Sequence, residues 1–205
     1  MRTLLALMLT APVLAFRGTA QTPRRNPPPP TPWIASGACP GEGCTFGVWA
    51  ACTTLVVKKE KRSNAASAFI LHRGDQVTVV TGDVHVDVPG MVVFRDTVTY
   101  VPEPEAPSQD TVRFTRVDTL YLLNYLGEGF LVWWLHGQAG TGQTFWWTRP
   151  EPNPDPAPRA VLIRPTRAVW WVRVRNRAGA EGWLVPGFSR GARYDIGLED
   201  QCPRK

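Results

Sequence analysis

The stretch WWVRVRNRAGAEGWLVP, residues 170–186, contains the clearest strand pattern of the sequence. Apolar and charged residues alternate in its first half, so Val172 and Val174 lie on one face of an extended strand and the arginines between them on the other. Ala178-Gly179 then gives a turn signal, and Gly182-Trp183 opens a second extended run. The stretch predicts a β-hairpin with one buried face and one polar face.

The same period-2 pattern recurs along the chain between turn signals. Gly127-Glu128-Gly129 lies between two such runs and predicts a hairpin loop. The 20 prolines disfavour long helices, because proline removes a backbone donor and clashes with the preceding helical turn. Many short strands separated by turns predict an all-β barrel or sandwich. The candidate strands are 52–58, 76–81, 91–101, 119–126, 130–136, 143–148, 170–176 and 181–184.

Two parts of the chain resemble bacterial SH3-like (SH3b) domains. The hairpin at 170–186 is similar to their final hairpin, in which an aromatic strand with alternating Val turns at a Gly and returns as Gly-Trp. DTLYLLNYLGEGF, residues 118–130, resembles the strand that precedes that hairpin. TTLVVKKEK (53–61) and FILHRGDQVTVVTG (69–82) resemble the opening of the same domain. The resemblance implies two small SH3-like barrels in tandem, the second with a long Pro-rich insertion, of a kind that binds cell walls or envelope complexes.

Three clusters of proline separate the strand-like runs of the chain, and the third lies inside the second predicted unit. PRRNPPPPTP (23–32) is typical of an extended spacer, VPEPEAPSQD (101–110) of a connector and RPEPNPDPAPR (149–159) of a long loop. The predicted organisation is a signal peptide at 1–20, a Pro-rich linker at 21–38, a first SH3-like module at 39–106, a linker at 107–117, a second module at 118–195 with its insertion at about 149–165, and a C-terminal tail at 196–205.

The first 20 residues have the layout of a secretory signal peptide: Arg2, an apolar run at 4–16, then small Gly18 and Ala20. The run is shorter than the ~20 apolar residues that a membrane-spanning helix needs. An uncleaved N-terminal anchor is the alternative. Cleavage after Ala20 removes two arginines and no acid, so the net charge falls from +6 to +4. We expect an exported protein of the periplasm or the cell exterior, with no membrane span after cleavage and no nucleic-acid partner.

Cysteine usage fits this compartment. Cys39, Cys44, Cys52 and Cys202 form an even set, which in an exported chain favours disulfides. We expect a bridge from Cys39 or Cys44 to Cys202, which would tie the ends of the chain together. The alternative is a local Cys39–Cys44 bridge, with Cys52 as a buried thiol.

The polar face of the 170–186 hairpin gives the candidate ligand site. Trp171, Arg173, Arg175 and Arg177 share that face, and such cations beside an aromatic ring suit an anionic glycan, phosphate or carboxylate. Trp133 belongs to another Trp-Trp pair, in which one ring faces the core and the other faces outward. We add Trp133 to the candidate site as an outward-facing ring. The alternative is a solvated strand face whose arginine stems cover neighbouring rings, with the outer Trp rings lying under the Pro-rich loop.

Catalytic and metal sites are not indicated. His72, His85 and His136 are far apart in sequence and lack metal-ligand spacing, so we predict no metal and no cofactor. GQAGTGQT (137–144) has the spacing of a phosphate loop, but Gln143 replaces its lysine, which favours a glycine-rich hairpin loop.

Two polar stretches are assigned to turns. Arg73-Gly74-Asp75 predicts a turn, because Gly-Asp falls where the SH3-like pattern has one. Asp83 and Asp87 flank His85, and we predict a solvent-exposed face around a turn there.

The sequence therefore indicates an exported, non-catalytic binding module that recognises peptidoglycan peptide or glycan, or an envelope protein, through an Arg/Trp face. Two alternatives remain open at this point. One is a structural or adaptor protein that docks a partner through its Trp-rich surface, and the other is an unrecognised envelope hydrolase.

Overall fold

A computed structural model describes residues 26–40, 45–100, 111–143, 159–189, 193–198 and 202. The predicted signal peptide at 1–20, the connector at 101–110 and most of the Pro-rich insertion lie outside the described residues. The described residues form strands and no helix, which confirms the all-β class, and none of them forms a helix able to span a membrane. The strands are β1 (Trp33–Ser36), β2 (Gly47–Ala51), β3 (Leu55–Lys58), β4 (Ser67–Leu71), β5 (Gln76–Val88), β6 (Gly90–Phe94), β7 (Val98–Tyr100), β8 (Val112–Phe114), β9 (Thr119–Gly127), β10 (Phe130–Leu135), β11 (Gln138–Gln143), β12 (Ala160–Arg164), β13 (Arg167–Arg175), β14 (Glu181–Leu184), β15 (Phe188–Ser189), β16 (Arg193–Tyr194) and β17 (Ile196–Gly197).

The larger sheet, sheet A, is a curled antiparallel half-barrel with the order β17-β2-β5-β13-β14-β3-β4. Strand β5 pairs with β13 along one edge, and with β2 and then β1 along the other. Apolar residues at alternate positions fill its concave face, since successive side chains of a strand point to opposite faces. This core contains Trp49, Ala51, Val57, Leu71, Val77, Val79, Val172, Val174, Leu184 and Ile196.

The smaller sheet, sheet B, has the order β11-β10-β9-β6-β12, and the hairpin of β7 and β8 adds to its core. Its centre is aromatic. Phe94 stacks on Phe114 with ring centroids 4.9 Å apart, and Trp133 lies 5.0 Å from Phe114. The Phe114 side chain is fully buried.

A third apolar cluster joins the two sheets. Val84 and Val86 of β5 pack with Leu123 of β9, and Trp33 and Trp134 pack against them. Since β6 begins two residues after β5 ends, the chain passes from sheet A into sheet B almost without a connection. The two sheets therefore share one continuous stretch of chain and one buried contact.

Strand pairing does not follow the predicted division into a module at 39–106 and a module at 118–195. Strands β13 and β14 pair with β5 and β3, and β6 pairs with β9 and β12, so each sheet contains strands from both predicted modules. Alternation in the sequence identifies strands, but the pairing between them depends on long-range contacts that a local pattern does not contain.

The predicted Pro-rich linker at 21–38 packs on the body of the protein from Asn26 onward. The side-chain amide nitrogen of Asn26 donates to the Thr119 carbonyl, and its side-chain oxygen accepts from the His136 backbone amide at 2.6 Å. The Pro27 carbonyl accepts from the Trp134 ring nitrogen at 2.9 Å, and β1 pairs with β5. This segment is therefore not a free spacer, and the prediction was wrong for its described part.

Three other predicted connections also contain strands. The linker at 107–117 holds β8 with buried Phe114, the insertion at about 149–165 ends in β12, and the tail at 196–205 begins with β17, whose Ile196 is buried. These strands have two to five residues, too few for a period-2 pattern to stand out against the surrounding turn residues.

The described disulfide differs from the predicted one. Cys202 is bonded to Cys52 rather than to Cys39 or Cys44, so Cys52 is not a free thiol. Strand β17 pairs with β2, and the Cys52 amide donates to the Asp195 carbonyl at 2.8 Å, which brings the C-terminal segment to Cys52. Cys39 is also disulfide-bonded, and Cys44 lies outside the described residues.

The predicted glycine-rich loop at 137–144 is mostly strand β11, paired with β10. Gly140 lies against the Trp133 ring and Gly142 against Tyr100, and a Cβ at either position would come within 2.9 Å of that ring. These glycines provide space for aromatic side chains in the sheet B core.

Candidate functional site

The arginine ladder lies on the convex face of sheet A, as the alternation predicts. Arg173 is directly opposite Trp183, and Arg175 is directly opposite Glu181. The Glu181 carboxylate forms an ion pair with both guanidinium groups, with N–O distances of 2.5 Å to Arg173 and 2.6 Å to Arg175. These contacts, chiefly the hydrogen bond from Arg175, hold the pKa of Glu181 below its ordinary value. Two of the three ladder arginines therefore share one acid of the protein itself.

The tryptophans of the predicted site are not exposed. Trp171 is 8% exposed and lies opposite Asp83, and Trp133 is 5% exposed within the sheet B core. Lys61 lies between Trp183 on β14 and Asp83 on β5, and so crosses β13, the strand that contains Trp171. In sheet B, Gly140 has no side chain and leaves room for the Trp133 ring in the core. Neither ring is presented to a ligand as the sequence predicted.

A buried ion pair lies beside the ladder. Asp83 is 6% exposed, its Oδ2 is 2.5 Å from Lys61 Nζ, and its Oδ1 accepts from the Gly37 amide at 3.1 Å. Burial alone would raise the pKa of Asp83, but the hydrogen bonds from Lys61 and Gly37 outweigh it and lower the pKa. Lys61 Nζ also lies 4.6 Å from the centre of the Trp183 ring, a cation–π distance.

His85 and Asp83 lie within strand β5, so the predicted solvent-exposed face around a turn is wrong at these positions. Burial and the positive charge of Lys61 lower the pKa of His85, against the raising effects of Asp83 and Asp87. The His85 Nε2 atom is buried and has no hydrogen-bond partner among the described residues.

A second carboxylate is buried in sheet B. Asp118 Oδ1 is 2.6 Å from His136 Nε2, and its Oδ2 accepts from the Thr115 amide and hydroxyl. Burial opposes ionisation of Asp118, but the bonds from His136 and Thr115 lower its pKa. Because the Thr115 hydroxyl bonds the acid rather than the histidine, this cluster lacks the nucleophile–base contact of a catalytic triad.

A groove with a cavity volume of about 300 Å³ opens beside Arg177, the last arginine of the ladder. Phe69, Ile70 and Leu71 of β4 form one wall. The opposite wall consists of the turn between β4 and β5 and the turn between β13 and β14. Arg177 donates to the Gln76 side-chain oxygen at 2.9 Å, which fixes its guanidinium at the groove.

Some residues of this face could have been found from the sequence and others could not. Arg175 and Glu181 are equally spaced from the turn at Ala178, so the predicted hairpin already places them opposite each other. The contact between Lys61 and Asp83 joins a loop to the middle of a strand, and no local signal predicts it.

The described residues contain no group of three or more His, Cys, Asp or Glu that could hold a metal ion. Comparison with protein-family models, with curated proteins and with solved structures finds no match for this chain.

Proposed function

We propose that the protein is an exported, non-catalytic binding module that recognises peptidoglycan, or an envelope protein, through the arginine ladder of sheet A. The observation that carries the proposal is the position of Arg177. Its hydrogen bond goes to a neutral amide, and no ion pair among the described residues includes it, whereas Arg173 and Arg175 share Glu181. Arg177 is therefore the ladder arginine that has no acid as its partner among the described residues, and it lines the groove.

The buried tryptophans have a different role in this proposal from the one that the alternation suggested. Trp171 is buried beside the ladder on the same face of β13, and Lys61 lies over the Trp183 ring. A ligand would meet guanidinium groups on a preorganised surface, which lowers the entropic cost of binding. Ring stacking on the ligand is not part of the proposal.

The strand arrangement also supports a revised form of the SH3-like proposal. The stretches that resemble the opening and the closing hairpin of that domain form β3, β4, β5, β13 and β14, and all five strands lie in sheet A. We propose one SH3-like half-barrel assembled from both stretches, with residues 90–164 inserted as sheet B.

The disulfide and the predicted signal peptide support export. A disulfide between Cys52 and Cys202 is typical of oxidising compartments outside the cytosol. The periplasm or the cell exterior is the compartment that we propose.

The test is co-sedimentation of residues 21–205 with isolated cell-wall sacculi at low and high salt. We expect retention to fall as salt rises, because exposed charge pairs are screened. Arg177→Gln should lower the affinity about tenfold, in keeping with the loss of one charge-assisted hydrogen bond. Arg167→Gln, at the exposed opposite end of β13, is the matched control and should bind like the wild type.

Retention of Arg177→Gln at the wild-type level would contradict the role of Arg177. Absence of retention under every condition would overturn peptidoglycan as the partner and leave an envelope protein. Binding that strengthens with salt would favour the adaptor alternative, in which a partner docks on the exposed apolar pair Val56 and Ile70, opposite each other on β3 and β4.

A further inference from the structure

The groove beside Arg177 is built from two turns that are braced by their own side chains. In the first turn, the His72 amide donates to the Asp75 carboxylate at 2.8 Å, and Gly74 adopts a positive φ of 91°. In the second, the Asn176 side-chain oxygen accepts from the amides of Ala178 and Ala180 at 3.0 and 2.9 Å. Both turns therefore hold their shape without a ligand, so the groove is preformed.

The two sides of the groove differ in chemistry. The β4 side is apolar, and Ile70 keeps 52% of its surface exposed there. The opposite side offers the guanidinium of Arg177, held in place by Gln76. A ligand that satisfies both sides carries an anion and a small apolar group a few ångströms apart.

Arg177 forms no ion pair with Asp75 or Glu181 among the described residues. Asp75, which lines the groove, accepts from the His72 amide, and Glu181 accepts from Arg173 and Arg175. Among the ion pairs of the described residues, neither acid is paired with Arg177. An incoming carboxylate would thus meet a cation whose hydrogen-bond partner is an uncharged amide.

The size of the groove narrows the class of ligand. A volume of about 300 Å³ is at the lower end of the range for small-molecule sites, so the groove suits a ligand portion of about one or two residues. A neutral sugar has no anion for Arg177, whereas the end of a peptide has a carboxylate next to a side chain. Capture of a terminal carboxylate is a recurring mode of peptide recognition.

We propose that this groove binds the C-terminal end of a peptide, with its terminal carboxylate at Arg177 and a small apolar side chain against Ile70. The inference rests on the proposed binding function and names the ligand class of the same face. The carboxylate forms charge-assisted hydrogen bonds with the guanidinium, and the apolar group covers surface that is otherwise in contact with water.

The experiment is a titration of residues 21–205 with acetyl-Ala-Ala and with its C-terminal amide, followed by amide NMR shifts. We expect saturable shifts at 69–71, 74–76 and 176–178 with the acid, and an affinity for the amide at least about tenfold lower. Arg177→Gln should reduce affinity for the acid to that for the amide. Ile70→Ser should weaken binding of the acid, while Arg167→Gln should leave it unchanged.

Each substitution is at an exposed position, and the unshifted remainder of each spectrum reports whether the variant is folded. Equal binding of acid and amide, shifts away from the groove, or no saturable binding would each overturn the inference. The D,D and L,L forms of the dipeptide separate two sources of the same chemistry. Preference for the D,D form would indicate a cell-wall peptide, and preference for the L,L form a protein C-terminus.

Failure of this inference is distinguishable from failure of the proposed function. Retention on sacculi without dipeptide binding would leave the wall-binding proposal standing and overturn the carboxylate groove. Dipeptide binding without retention would establish the groove and overturn peptidoglycan as the partner. If both proposals hold, excess acetyl-Ala-Ala releases the wild-type protein from sacculi.

Discussion

Sheet A and sheet B are held together by different means. Sheet A joins strands from residues 33–88 and 167–197, so its central pair, β5 with β13, connects parts of the chain that are far apart in sequence. Sheet B lies within residues 90–164, and hairpins connect β9, β10 and β11. Sheet A carries the Cys52–Cys202 bond and the ladder, whereas sheet B is centred on packed aromatic rings. The sheet with distant strands is the one with a covalent link between them.

The two sheets also resemble each other in one respect, since each contains a buried carboxylate beside a basic side chain. In sheet A this is Asp83 with Lys61, and in sheet B it is Asp118 with His136. Hydrogen bonds from backbone amides complete each site, from Gly37 in one and Thr115 in the other. The surroundings of Asp83 and of Asp118 therefore favour the ionised carboxylate.

The strongest test of the comparison is the aromatic core of sheet B. Phe114→Ala removes a fully buried ring that contacts Phe94 and Trp133, and should lower the free energy of unfolding by about 3–5 kcal/mol. Val174→Ala in the sheet A core is the matched control, with an expected loss of about 2 kcal/mol. Urea denaturation measures both. A loss below about 1 kcal/mol for Phe114→Ala would contradict its packing and support a linker at 107–117.

A somewhat smaller effect is expected from the covalent link of sheet A. Replacing Cys52 and Cys202 together by alanine should lower the free energy of unfolding by about 3 kcal/mol, since the bond limits the conformations of the unfolded chain. The same denaturation experiment gives the value, with the Val174→Ala variant as a reference for the same sheet. An unchanged midpoint would mean that strand pairing alone closes sheet A.

The smallest expected effect concerns the buried carboxylates. The pKa of Asp83 and of Asp118 is lowered in the folded state, so each contributes stability above its unfolded pKa of about 3.9, and that contribution is lost as pH falls through the folded pKa. Stability should therefore decrease on acidification below about pH 4. Asp83→Asn and Asp118→Asn should each make the decrease between pH 7 and pH 3 smaller by about 1 kcal/mol. Identical pH dependence in the wild type and both variants would show that other acids dominate.

The sequence predicts strands and turns in this protein better than their partners. The alternation at 170–176 and 181–184 corresponds to β13 and β14, and the glycines at 127–129 form the turn between β9 and β10. These features arise from side chains and backbone conformations within a few residues. The turn at Arg73-Gly74-Asp75 is of the same kind, and its hydrogen bonds confirm the prediction.

The features that the sequence did not predict all depend on distant contacts. Asp83, which lies opposite Trp171, has its ion-pair partner Lys61 in a separate loop, and the partner of Cys202 depends on the pairing of β17 with β2. Asn26 lies in a proline-rich stretch that is typical of a free spacer, yet it is bonded to β9 and to the end of β10. The ladder was predicted from its own strand, while the groove required three separate segments to be brought together.

The separation between Cys52 and Cys202 fixes an order for the assembly of the protein. The chain is made from its N-terminus, so all strands of sheet B have been synthesised once residue 164 is reached. One edge of β5 stays unpaired until β13, residues 167–175, has also been synthesised. Until then β5 has an open edge of the kind that promotes aggregation. The bond between Cys52 and Cys202 needs a cysteine that is made after every strand of sheet A, and the pairing of β17 with β2 brings Cys202 close to Cys52, so the bond holds together two segments that strand pairing has already joined.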